Sequence, residues 1–83
     1  MKKNINQVYC IRIGNNIRKW RELKGIKQAQ LARQIGITTA ALSNIENDKT
    51  NLSLQRIEQI SIQLQLEVVK LFSNPLDLLA AVQ

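Results

Sequence analysis

The chain has 83 residues, twelve Lys and Arg against six Asp and Glu for a net charge of +6, one cysteine and no histidine. At this length about 60 to 65% of the unfolded chain's surface is buried on folding, so one small domain with a thin core is allowed and a two-domain enzyme is excluded. The hydrophobic share of 45% is that of a globular domain, and no apolar run approaches the ~18 residues that a membrane span needs.

After Lys2 and Lys3 the chain reads Asn-Ile-Asn-Gln-Val, which lacks the apolar stretch of a secretory signal, so a cytoplasmic location is expected. Cys10 stands alone. Without a second cysteine or a histidine there is no internal disulfide, no zinc site and no usual base for a thiolate nucleophile, and Cys10 reads as filler. Ile13, Ile17 and Trp20 then repeat at helical spacing and mark a first helix ending near Lys24, before Gly25. Trp20 on that stripe reads as core or interface. Leu31, Ala32 and Ile35 mark a second helix that stops at Gly36, and Thr38 or Thr39 caps a third, with Leu42 and Ile45 turned inward. A polar turn covers residues 47–51. Ser53 caps a fourth helix, with Leu54, Ile57, Ile60 and Leu64 along its buried side. The connections are short, which predicts a compact all-α bundle. Val68, Val69, Leu71 and Phe72 form a further apolar cluster. Asn74, with Pro75 at a first helical position, starts an extra C-terminal helix that carries Leu76, Leu79 and Val82 on one side. That helix either closes the bottom of the monomer or packs against a second subunit. Leu64, Leu66 and Val68 also alternate, which leaves open a short strand paired across a dimer.

The charge is unevenly placed. Residues 1–33 hold nine basic side chains and Glu22 as their one acid, a net of +8, while residues 34–83 hold three basic side chains and five acids, a net of −2. A basic half on a small domain is an electrostatic footprint for a polyanion, most often nucleic acid. One Trp, one Tyr and one Phe are too few for a single-strand binder built on stacking. The acids Glu22, Glu46, Asp48, Glu58, Glu67 and Asp77 show no catalytic pairing, and the three glycines form no phosphate loop. Neither enzyme activity nor a cofactor or metal is expected.

Residues 28–47 carry the strongest signal. Ala32 is small where a second helix must approach a first, Gly36 supplies a permissive turn, and Leu31, Ile35, Ile37, Leu42 and Ile45 fill the wedge between two steeply crossing helices. This pattern resembles the lambda-repressor-like domains of the Cro/Xre helix-turn-helix family. The resemblance is carried by Ile13-Gly14, Ile17 and Arg21; by Lys24-Gly25-Ile26, Gln28, Leu31-Ala32 and Gly36-Ile37; and by Leu42-Ser43-Asn44-Ile45-Glu46-Asn47, Lys49, Ser53-Leu54 and Leu71-Phe72. It implies a five-helix domain over residues 13–72, between an N-terminal arm at 1–12 and a tail or helix at 73–83. It also implies a homodimer bound to double-stranded DNA on a two-fold operator, with residues 39–47 as the recognition helix in the major groove.

By the resemblance, Thr39, Ala40 and Asn44 read base edges. Asn44 suits a bidentate pair with adenine, Thr39 a base or a thymine methyl, and Ala40 apolar contact alone. The implied phosphate contacts are Gln28, Asn47 and Lys49, with Thr38 and Ser43 near the backbone and Arg18 and Lys27 as additional basic contacts. The second helix would turn its positive end to the DNA backbone. Arg21 and Glu46 match positions that form a partly buried ion pair. Three residues depart from the family pattern: Asp48 and Gln65 stand where glycine is usual, and Leu52 where proline is. Asp48 brings a negative charge near the implied phosphates unless it turns away. The functional expectation is a sequence-specific transcriptional regulator. The alternative is an antitoxin that binds a protein toxin and represses its own operon, with the Cys10 arm and residues 74–83 as partner surfaces.

Overall fold

The computed structural model describes residues 12–76. Four α-helices follow one another: α1 Gly14–Leu23, α2 Gln28–Gln34, α3 Thr39–Glu46 and α4 Leu54–Leu64, and a 3₁₀ segment, Val68–Phe72, completes the order. Each boundary has a local cause. Gly25 and Gly36 take positive φ of 72° and 77° after α1 and α2, a conformation that costs glycine nothing. Thr38 Oγ1 accepts the Ala41 amide at 3.0 Å, and Ser53 Oγ accepts the Arg56 amide at 3.1 Å, so α3 and α4 each start on a hydroxyl cap.

The apolar stripes converge on one core. Ile17, Leu31, Leu42, Ile57, Ile60, Leu64 and Leu71 are fully buried, joined by Ile13, Trp20, Ala32, Ile35 and Ile45. Burying each large aliphatic side chain contributes roughly 1.5 to 3 kcal/mol, and every described element supplies at least one. Leu54, expected on the buried side of α4, is 64% exposed; the buried face starts one turn later, at Ile57. α4 is further tied to the helix pair by Arg56, whose Nη1 donates to Ile35 O at 3.2 Å and to Gln59 Oε1 at 2.8 Å.

The last elements refine the expectation of five helices. α4 ends with Gln65 in the left-handed region at φ 58°, and the Leu66 amide returns to Ser61 O at 2.9 Å. Gln65 therefore does the work of the usual capping glycine. Leu66 lies in that reversal and Val68 opens the 3₁₀ segment, so their alternation belongs to a helix end; no strand forms among the described residues. The fifth element is a 3₁₀ segment whose last carbonyls are bonded from α1. Trp20 Nε1 donates to Lys70 O and Ser73 O at 3.1 and 3.0 Å, and Asn16 Nδ2 donates to Leu71 O at 3.1 Å. These bonds satisfy carbonyls at the end of the segment and tie it to α1. Asn74 Oδ1 then accepts the Leu76 amide at 2.8 Å, a local cap at the point where a C-terminal helix is expected to start. The remainder of that helix, residues 77–83, lies outside the described residues, as do residues 1–11 of the arm with Cys10. No helix among the described residues is long and apolar enough to cross a membrane.

Candidate nucleic-acid interface

α3 has two unlike sides. Leu42 and Ile45 face the core at 0% and 5% exposure, and this fixes the direction of every other residue on eight residues of helix. Thr38, Thr39, Ala40 and Asn44 are exposed on the opposite side, with Ser43 half-buried at its edge. None carries a charge. Thr38 has its hydroxyl oxygen engaged as the cap, while Thr39 and Asn44 keep their side chains on the outer surface of α3.

The rear of α3 is held by a buried polar network. Arg21 Nε donates to Glu46 Oε2 at 2.7 Å, Arg21 Nη2 to Glu46 Oε1 at 3.1 Å and Arg21 Nη1 to Ile26 O at 2.8 Å. The forked geometry makes this a bidentate pair, in which direction as well as distance is specified. With Arg21 at 7% and Glu46 at 4% exposure, the two charges are compensated by each other rather than by water. Gln28 Nε2 joins at 3.0 Å from Glu46 Oε1. Gln28 is thus drawn inward as a third member of the network rather than standing free on the surface. One carboxylate gathers α1, α2 and α3 at a single point.

Past α3 the chain turns sharply. Asn47 Nδ2 donates to Ser43 O at 2.8 Å, so its amide group closes the end of the helix. Asp48 takes φ 60°, and its Oδ1 accepts the Gly14 amide at 3.0 Å. The carboxylate is therefore directed to the start of α1. Lys49 is exposed, with its amide on Asn44 O at 2.8 Å. Lys27, the residue before α2, is exposed as well. Arg18 is exposed and donates to Asn15 Oδ1 at 3.1 Å; it lies four residues after Gly14 and three before Arg21, on the edge of α1 nearest α3.

Sequence reasoning missed three contacts here: Gln28 to Glu46, Asp48 to Gly14, and Arg56 to Ile35. A helical-period pattern identifies faces within one helix and carries no information on polar partners 18, 34 or 21 residues away. Asp48 alone left a signal, as an acid at a position where the family has glycine.

A helix-turn-helix family model matches residues 17–71, from within α1 to the 3₁₀ segment. The chain belongs to the Cro/Xre-type helix-turn-helix family. Control protein C.MunI of Mycoplasma sp is 40% identical over 65 residues, covering 77% of this chain and 88% of that protein. The transcriptional regulator SinR of Bacillus licheniformis is 37% identical over 63 residues, which cover 75% of this chain and 57% of SinR. Among solved structures, the restriction-modification controller protein C.AhdI from Aeromonas hydrophila superposes with a TM-score of 0.69 at 26% identity, covering 77% of this chain and 97% of that one. SinR, the master regulator for biofilm formation, solved in complex with DNA, superposes at 0.66 with 35% identity, covering 74% of this chain and 98% of that one.

Proposed function

We propose that this chain is a sequence-specific double-stranded DNA-binding transcriptional regulator that places α3 in the major groove. The observation that carries the reading is the division of α3 into an exposed, uncharged face and a rear fixed by Leu42, Ile45 and the Arg21–Glu46 pair. A helix held that firmly can present Thr39, Ala40 and Asn44 to base edges in one orientation. Lys27, Lys49 and Arg18 flank it and supply the sequence-independent attraction to phosphates, joined by Thr38, Ser43, Gln28 and Asn47 at the edges of the groove. Gln28 and Asn47 act in part by holding the frame, since each spends a side-chain donor inside the protein.

The regulator works as a cytoplasmic homodimer on a two-fold operator. Leu23, Val69, Phe72 and Leu76 are 52 to 65% exposed, and a second subunit would cover apolar side chains of this kind. The related proteins are a control protein and transcriptional regulators, which favours this reading over that of an antitoxin with a protein toxin as partner.

Selection of bound sequences from random duplex DNA tests the reading. It is expected to return inverted half-sites about one helical turn apart, bound with an affinity that falls steeply with salt. Recovery of no preferred sequence, or of a single unrepeated half-site, would overturn the operator model.

A further inference from the structure

Asp48 holds a backbone conformation that non-glycine residues seldom adopt, and the polar turn around it makes no demand for an acid. The demand comes from α1. That helix begins without a cap of its own: Ile13 offers no side-chain acceptor and the first turn contains no acidic residue. Asp48 Oδ1 supplies the missing acceptor from 34 residues away, at 3.0 Å from the Gly14 amide, and sets a negative charge at the positive end of α1. The approach is close enough to need glycine. A Cβ on residue 14 would lie 2.1 Å from Ile45 O and 2.8 Å from Asp48 Oδ1.

The same turn controls Lys49. The Asp48 amide bonds Ile45 O at 3.1 Å and the Lys49 amide bonds Asn44 O at 2.8 Å. The backbone of Lys49 is thus tied on one side to the last turn of α3 and on the other, through Asp48, to α1. We propose that Asp48 is a positioning residue for DNA binding: by capping α1 it sets the course of the chain leaving α3 and so places Lys49 against the phosphate backbone. This rests on the DNA-binding reading above. It also accounts for the direction of the carboxylate, toward the start of α1.

The test is a double-mutant cycle on the full chain. Operator binding is measured by fluorescence anisotropy across a range of salt, at a temperature where circular dichroism shows every variant folded. Asp48→Gly keeps the left-handed turn and loses the cap; it should weaken binding roughly tenfold and lower the salt slope by about one. Asp48→Asn keeps both an acceptor oxygen and a side chain that tolerates the turn, and should bind within about twofold of wild type. Lys49→Ala should cost much less in the Asp48→Gly background than in wild type, since its contact is already lost. Strictly additive losses, or full affinity in folded Asp48→Gly, would overturn the proposal and leave Asp48 with stability alone. Tighter binding by Asp48→Asn with a steeper salt slope would overturn it too, because the carboxylate would then be repelling phosphate. If the wild-type chain and all variants alike bind no duplex, the DNA reading itself fails.

Discussion

The outer face of α3 and its C-terminal end lie within two turns of each other, yet the protein treats them in opposite ways. Thr39, Ala40 and Asn44 stand exposed on the outside, while Glu46 and Asp48 bind Arg21, Gln28 and Gly14. A side chain with no internal duty can be exchanged without disturbing the fold. One that joins three helices cannot. On the proposed reading, the contrast separates the choice of DNA sequence from the frame that presents α3.

The comparison breaks most visibly at the frame. Glu46→Ala leaves the buried Arg21 guanidinium without its carboxylate and Gln28 without its acceptor, and should cost about 3 to 5 kcal/mol. That approaches the whole stability of a small domain, so urea denaturation should show a large fall in midpoint, or no folded baseline at all. Gly14→Ala is next. Its methyl group would press on Ile45 O and displace Asp48, at a cost of about 1 to 3 kcal/mol by the same measurement.

On the outer face the expectation reverses. Asn44→Ala should change thermal stability by less than about 0.5 kcal/mol while reducing discrimination at one base pair by about 1 to 3 kcal/mol in competition binding. The smallest effect belongs to neither region and calibrates both. Gln65→Gly removes a left-handed strain with no compensating side-chain bond described, and should stabilise the chain by up to about 1 kcal/mol. Asp48→Gly removes a similar strain but also the α1 cap, so it should show no such gain.

Much of the frame was legible in the sequence because it is written in local terms. The spacing of Ile13, Ile17 and Trp20, the glycines at 25 and 36, and the hydroxyls of Thr38 and Ser53 each act within a few residues, and each element begins or ends where they do. The fifth element was legible as an apolar cluster, but its seat on α1 was not, because Trp20 and Asn16 reach its carbonyls from 50 or more residues away. The interface divides in the same way. The direction of Asn44 follows from Leu42 and Ile45 on its own helix, whereas the inward turn of Gln28 and the partner of Asp48 depend on how α1, α2 and α3 meet.

The central claim is that base choice and phosphate attraction reside in different residues. Selecting sequences from random duplex DNA with wild type, Asn44→Ala and Lys49→Ala, and measuring the salt dependence of each on the preferred duplex, tests it directly. The account predicts that Asn44→Ala loses preference at one position with an unchanged salt slope, and that Lys49→Ala keeps the preference while its slope falls by about one. Equal losses from both variants on every sequence, with the same preference retained, would contradict it.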